Sequence, residues 1–316
     1  MPYLWIGFTL LVFGSLIADL FLLHGRNAQP STRKAAYETL FWAVLGLSFG
    51  VLLWYAYGQG WADNPLNLSP NEVFTTYLTA YLVELSLSVD NLFVIALIFA
   101  SFRIPLQQQP KALFWGILGA IVFRGLMIAA GIALVERFHW MFYFFGALLL
   151  FTALRMLRDK DESEELDHPE SPKKRFAYIY RYFRISDTPD GDRFFTRLAG
   201  KRMATPLFAS VAVIELTDLL FALDSIPAIL GITTDPLIVW SSNVFAILGL
   251  RSMYFFLAHM LKRFRYLKQS VVAILLFIAA KMLSASFFPL PDGFSLLFIG
   301  LALAGGIAVS LLKKEA

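Results

Sequence analysis

The run TPLFASVAVIELTDLLFALDSIPAIL, residues 205–230, sets the terms on which this chain is read. It is apolar and long enough to cross the hydrocarbon core of a bilayer, which takes about 20 residues as a helix. Yet it carries Glu215, Thr217, Asp218, Asp224 and Ser225. A lone carboxylate at the centre of a membrane helix costs about 3 kcal/mol on insertion scales, so these acids require pairing, protonation, water or a bound cation. Either the run is not a span, or its acids have work inside the membrane.

The remainder of the chain decides for the membrane. Of 316 residues, 58% are hydrophobic and only 16% charged, far from the balance of a soluble domain. Eight further runs of comparable length lie at residues 4–23, 36–57, 73–101, 113–135, 140–157, 236–260, 270–288 and 293–312. Inside lipid only helices and closed barrels satisfy their own backbones. The predicted fold class is therefore an all-α membrane protein of about nine transmembrane helices. The first run has no basic leading segment and no small-residue cleavage site, so it is read as a retained span. Cysteine is absent, which excludes disulfides, thiolate metal sites and a cysteine nucleophile in this sequence. The net charge of +4 is assigned to topology and not to a nucleic-acid partner.

Lys and Arg lie to one side of this nine-span model. Arg26, Arg33, Lys34, Arg103, Lys111, the 158–204 segment, Lys262, Arg263, Arg265, Lys268 and the Lys313-Lys314 tail share a side, while the opposite loops contain only Arg137. That asymmetry makes the basic side cytoplasmic, with the N-terminus outside and the C-terminus inside. The 158–204 loop opens with an acidic stretch through 159–172 that reads as flexible, and its part from Tyr178 to Arg202 reads as a small cap on the cytoplasmic face.

Three matches in the same order divide the membrane part into two copies. Val83-Glu-Leu-Ser repeats as Ile214-Glu-Leu-Thr, Gly116-Ile-Leu-Gly as Ala246-Ile-Leu-Gly, and Leu149-Leu-Phe-Thr-Ala-Leu-Arg-Met-Leu as Leu275-Leu-Phe-Ile-Ala-Ala-Lys-Met-Leu. Spans three to five then correspond to spans six to eight, and an odd number of helices per copy places the copies in opposite orientations. The expected organisation is two spans in 1–72, repeat one in 73–157, the loop 158–204, repeat two in 205–288, and a final span with its tail in 289–316. Inverted repeats are a common transporter architecture, with substrate near the midplane between them.

The intramembrane polar residues gather on the first helix of each copy: Glu84, Ser86, Ser88, Asp90 and Asn91, then Glu215, Thr217, Asp218, Asp224 and Ser225. At about 100° per residue, Glu84, Ser88 and Asn91 share a face, as do Glu215 and Asp218. Asp224 falls off its face in an unbroken helix. Pro227, which cannot donate to the Leu223 carbonyl, predicts a kink between Leu223 and Pro227 that swings Asp224 toward Glu215 or Asp218. Glu84, Asp90, Asn91, Glu215, Asp218 and Asp224 are the candidate metal ligands. Such a hard oxygen set suits Mg, Ca or Mn, whereas Zn and Cu prefer imidazole and thiolate; the four His lie in loops or at a helix end. Arg124, Arg155, Arg251 and Lys281 fall within or near spans and are expected to pair with some acids or, for Arg155 near a cytoplasmic end, to snorkel; Asp19 reads as a structural or interfacial acid.

At these positions the chain resembles the TerC/Alx family of membrane proteins, within the LysE-like transporter group. The resemblance rests on Tyr81-Leu-Val-Glu-Leu-Ser-Leu-Ser-Val-Asp-Asn, Glu215-Leu-Thr-Asp-Leu-Leu-Phe-Ala-Leu-Asp-Ser-Ile-Pro-Ala, Thr233-Thr-Asp-Pro-Leu-Ile-Val and Ser242-Asn-Val-Phe-Ala-Ile-Leu-Gly-Leu-Arg-Ser-Met-Tyr. It implies a bacterial inner-membrane protein that exports Mn²⁺, with Glu84, Asp90, Glu215, Asp218 and Asp224 required. The partners so implied are a divalent cation substrate and the lipid bilayer, with no resident cofactor. The sequence leaves the oligomeric state open.

No phosphate-loop sequence is present, which speaks against ATP-driven pumping by this chain. The intramembrane acids have no accompanying nucleophile and base, so an enzyme is not expected. Two other readings stand beside Mn²⁺ export: proton-coupled movement of another cation or an organic solute, and a non-transporting assembly or scaffold protein. Five carboxylates outweigh one divalent ion, so metal binding is expected to release protons.

Overall fold

The computed structural model describes residues 2–24, 32–158, 177–186, 190–198, 201–257, 267–285 and 292–312. In chain order these form α1 (Pro2–His24), α2 (Thr32–Gly58), α3 (Pro70–Ser101), α4 (Gln109–Arg137), α5 (Trp140–Arg158), α6 (Ala177–Tyr182), β1 (Phe195–Leu198), β2 (Lys201–Ala204), α7 (Pro206–Leu230), α8 (Pro236–Leu248), α9 (Leu250–Leu257), α10 (Leu267–Ser284) and α11 (Asp292–Leu312). Among the described residues seven helices are long and apolar enough to cross a membrane, and the apolar helices Tyr3–Ala18 and Gln269–Ser284 are shorter. Each of the nine expected runs is helical over its described residues, apart from single end residues and the turn at Gly249 in the seventh. The expected acidic stretch 159–172 and the side chains of Asp19 and Asp90 lie outside the described residues.

Three of the helices that position polar residues begin in the same way, with a side-chain cap followed by proline. Ser69 caps α3 through a reciprocal box: its hydroxyl accepts from the Glu72 amide at 3.3 Å, and Glu72 accepts from the Ser69 amide at 2.7 Å. Thr205 caps α7 by accepting from the Phe208 amide at 3.3 Å. Asp235 caps α8 by accepting from the Leu237 and Ile238 amides at 3.0 and 3.1 Å, and its other oxygen accepts from Tyr57 Oη at 2.8 Å. Pro70, Pro206 and Pro236 follow, at positions where the missing amide hydrogen would have had no intrahelical partner.

The α3 helix is the hub, packed against α2, α7, α8 and α11. The α4 helix packs on α7, and α5 packs on α10. One apolar cluster joins α1, α2, α3, α4, α7, α8 and α9 around Phe49, Tyr77 and Phe245; another joins α5 and α10 around Leu149, Ile274 and Met282. Large apolar side chains face outward in quantity, among them Leu10 and Phe13 on α1, Phe41 on α2, Leu126 on α4 and Leu220 on α7. On a soluble protein such a surface would aggregate; on a chain of spanning helices it faces lipid.

Two local features depart from the sequence reading. The α7 helix runs unbroken from Pro206 to Leu230 through Pro227. Pro227 sits in the last turn, so its missing amide costs one hydrogen bond near an end that is already releasing its carbonyls. The interruption lies instead in the seventh run, where Gly249 ends α8 and α9 starts at Leu250.

The segment before α7 does pack as a small cap. β1 and β2 pair antiparallel, with Phe195 opposite Ala204 and Leu198 opposite Lys201. Ile185 bridges to Ala204, and Ile179 and Ile185 join the main apolar cluster. Tyr180 stacks on Phe102 at the end of α3, Phe194 meets Trp115 of α4, and Lys111 donates to the Asp192 carbonyl at 2.6 Å.

Candidate functional site

Glu84 stands midway along α3, on the face that also carries Ser88 and Asn91, and all three are buried. From the neighbouring α7, Asp218 comes to the same region. Between them lies Arg124 of α4, only 1% exposed, against 0% for Glu84 and 9% for Asp218. The guanidinium uses both edges. Its Nε and Nη2 donate to Asp218 at 3.1 and 2.8 Å, a two-toothed pairing, while Nη1 donates to Glu84 Oε1 and, at 3.3 Å, to Ser225 Oγ. A planar, permanently charged fork of this kind suits carboxylate pairing better than a lysine does.

The bridge leaves oxygen atoms over. Glu84 Oε2, Ser86 Oγ and Ser88 Oγ are buried without a hydrogen-bond partner, and so are both polar side-chain atoms of Asn243 on α8. Buried polar atoms are rarely left so, and each one asks for a water, an ion or a second conformation. Two carboxylates against one guanidinium also leave one negative charge in excess when both acids are ionised.

Glu215 lies one turn before Asp218 on α7 and interacts with it electrostatically. Its carboxylate rests directly on the Cα of Gly119 in α4, so that any Cβ there would overlap it. Glu215 Oε2 is a further buried oxygen without a partner. Beside this pair a cavity of about 30 Å³ is lined by Asn91, Gly116, Ala120, Thr217, Asp218 and Phe221, with other apolar side chains. That is room for a water or two, since one water needs roughly 10–15 Å³ on this measure. The cavity lies toward the cap: Asn91 is about 10 Å along α3 from Glu84, at 1.5 Å per residue, in the direction of the Phe102 end.

Not all the candidate residues meet. Glu84 and Asp218 share Arg124; Asn91 borders the cavity with Asp218; Glu215 acts electrostatically on Asp218. Asp224 does not join them. It accepts from Thr152 Oγ1 of α5 at 2.8 Å, with Arg155 close enough to act on it electrostatically. The expected swing of Asp224 toward Glu215 or Asp218 is therefore corrected: without a break at Pro227, the regular 100° step turns it toward α5. Asp90 follows Glu84 on α3, and its side chain is outside the described residues. Among the described residues no three Asp, Glu or His side chains stand close enough to hold a metal as they are. Sequence reasoning missed Asn243 and Gly119, although an amide inside an apolar run was a usable signal for Asn243.

The family model described as integral membrane protein TerC family matches residues 69–316. A membrane protein of Myxococcus xanthus, STKORF319, is 40% identical over 99% of this chain and 93% of its own length. Alx of Escherichia coli strain K12, whose name describes it as a candidate membrane-bound redox modulator, is 43% identical over 93% of this chain and 90% of its own. A membrane protein of Rickettsia bellii is 36% identical over 98% of both chains. No solved structure matches. With its family model covering the bridge, the cavity and the cap alike, this multi-pass chain of apolar helices belongs to the integral membrane protein TerC family.

Proposed function

We propose that this protein is a secondary transporter that exports a hard divalent cation, Mn²⁺, across the bacterial inner membrane in exchange for protons. The observation that carries the reading is the sealed Glu84–Arg124–Asp218 bridge, with spare carboxylate and hydroxyl oxygens around it and a cavity reaching Asp218 from the cap side. Oxygen donors of this kind select hard cations such as Mg, Ca and Mn over soft ones. Mn²⁺ among them is the choice of the family resemblance.

In this reading Arg124 is a tethered cation that balances the two acids when substrate is away. A divalent ion entering from the cavity competes for the same oxygens, and Arg124 withdraws as the ion binds. Glu84 and Asp218 sit on the first helices of the two proposed repeats, so the ion is held between the halves that would rock against each other. The packing fits a two-fold exchange of the copies: α3 packs on α8 as α4 packs on α7, and swapping the copies turns one contact into the other; the inversion rests on the odd number of helices in each copy. In this reading the cap lies in the cytoplasm and the N-terminus outside, which the Lys/Arg asymmetry favours. A thiol route to the redox description that Alx carries is closed to this chain, which has no cysteine.

The test is Mn²⁺ flux into or out of proteoliposomes holding the purified chain, beside the Glu84→Gln and Asp218→Asn variants. Flux that depends on both acids is expected. Absence of flux together with absence of Mn²⁺ binding would instead place the chain with non-transporting membrane assembly proteins.

A further inference from the structure

The hairpin of β1 and β2 stands apart from the bridge and its cavity. Directly opposed residues in an antiparallel pair share a face, so Arg197 lies beside Arg202 and Leu198 beside Lys201. All four are exposed, Leu198 at 47%. Successive strand residues face opposite sides, so the described end of the hairpin carries an exposed leucine with a lysine on one face and two arginines on the other. On the same cap Arg181, Arg184 and Arg193 are exposed, and so are Tyr182, at 81%, and Phe183. Acidic residues among the described part of the cap are Asp190, 3.8 Å from Arg193, and Asp192.

The root of the hairpin fixes where this surface lies. Phe208, in the first turn of α7, packs on Phe195 at 4.8 Å and on Phe183 at 5.4 Å between ring centroids. The outward stripe of α7 is Leu216, Leu220 and Leu223. At about 100° per residue Phe208 falls roughly 60–120° from those leucines around the helix, on the flank of the lipid-facing side and not behind it. The cap therefore projects beside the point where α7 enters the bilayer. Bases around exposed apolar and aromatic side chains, next to a spanning helix, are the composition that binds an anionic membrane surface.

We propose that the hairpin docks end-on among anionic phospholipid headgroups of the adjacent leaflet, with Leu198 at the headgroup–acyl boundary, Lys201 on the phosphates beside it and Arg197 and Arg202 on the phosphates of the opposite face. Charge sign selects the lipid: neutral headgroups offer these bases no net attraction. The contact does not depend on what the bundle transports.

The chain has no cysteine, so Leu198→Cys gives a single label without background. The full-length labelled protein, carrying an environment-sensitive fluorophore, is placed in nanodiscs of phosphatidylcholine with or without phosphatidylglycerol. We expect a blue shift and quenching by lipid-borne nitroxide only with phosphatidylglycerol, reversed by raised salt. In neutral micelles titrated with phosphatidylglycerol, Arg197→Glu/Lys201→Glu/Arg202→Glu should weaken the response on the order of a hundredfold, at about a factor of five or more per base. The salt titration needs no charge substitution, so a misfolded triple variant does not rescue the idea. A probe equally wet in both lipids, or a shift indifferent to salt, overturns it. A shift that appears only in native membrane vesicles also overturns it, in favour of a protein partner.

Discussion

Arg124 is a buried charge held by two opposite ones, and the cost of disturbing it can be put in numbers. Removing one member of a buried ion pair typically costs about 3–5 kcal/mol, because the partner is left charged and dry. Arg124→Gln should therefore lower stability by roughly that amount, read as a fall in thermal or denaturant midpoint of the detergent-solubilised protein. If the acids it releases are the cation site, Mn²⁺ must restore much of the loss. Free Mn²⁺ at about a hundred times its Kd returns about 2.7 kcal/mol. A destabilised Arg124→Gln that Mn²⁺ leaves unmoved would reduce the bridge to a structural clamp. Asp224 gives the complementary expectation. Its bond to Thr152 puts it with α5, apart from the bridge, and separate sites are close to additive. Asp224→Asn should then change Mn²⁺ affinity by no more than about twofold, the size of the usual additivity error, while Glu84→Gln lowers it far more. Equal losses in the two variants, measured by calorimetry, would bring Asp224 back to the metal.

At the scale of elements, the helices were written in the chain more clearly than their rotations. The nine apolar runs are helical over their described residues, and Ser69-Pro70, Thr205-Pro206 and Asp235-Pro236 mark three starts within a few residues, because capping and the lost proline amide act locally. The site was harder to read. Glu84 and Asp218 could be assigned to inward faces from periodicity, but which acid meets Arg124 depends on how α3, α4 and α7 pack, and that is a non-local property. Pro227 misled for a definable reason: the same residue that kinks a helix interior is absorbed in a last turn. Gly119 was silent in the sequence, yet it is the floor on which the Glu215 carboxylate rests. Gly119→Ala should push Glu215 or α7 away at a cost of about 1–3 kcal/mol, the usual penalty for overpacking. It should also lower Mn²⁺ flux more than Gly7→Ala, where α1 leaves open space for the added methyl. A Gly119→Ala protein of unchanged midpoint and flux would show that Glu215 has room to move and that its present seat does not matter.

For the whole molecule the question is how a charged site crosses between two sides without leaving charge stranded in lipid. The Glu84, Asp218 and Glu215 carboxyls together hold three potential negative charges, and Arg124 holds one positive charge. A divalent ion bound among the three ionised acids, with Arg124 still nearby, brings that sum to zero. When the ion leaves, Arg124 returns and covers one acid; two remain to be neutralised before the halves can swing back. Protons are the carriers that a carboxyl accepts without rebuilding the site. The exchange reading therefore expects outward Mn²⁺ movement to drive proton movement inward. Proteoliposomes with the membrane potential clamped and an imposed pH gradient measure both at once. We expect Mn²⁺ flux to accelerate when the gradient carries protons against the metal, and interior pH to change with each burst of flux. Because Glu215 lies beside the bridge and not in it, Glu215→Gln should uncouple the two, leaving Mn²⁺ binding in place while proton movement falls. A flux indifferent to the gradient and silent in pH would mean that water and Arg124 carry the charge balance alone. The protein would then be a passive carrier, in which a fixed guanidinium replaces the departing ion on every return.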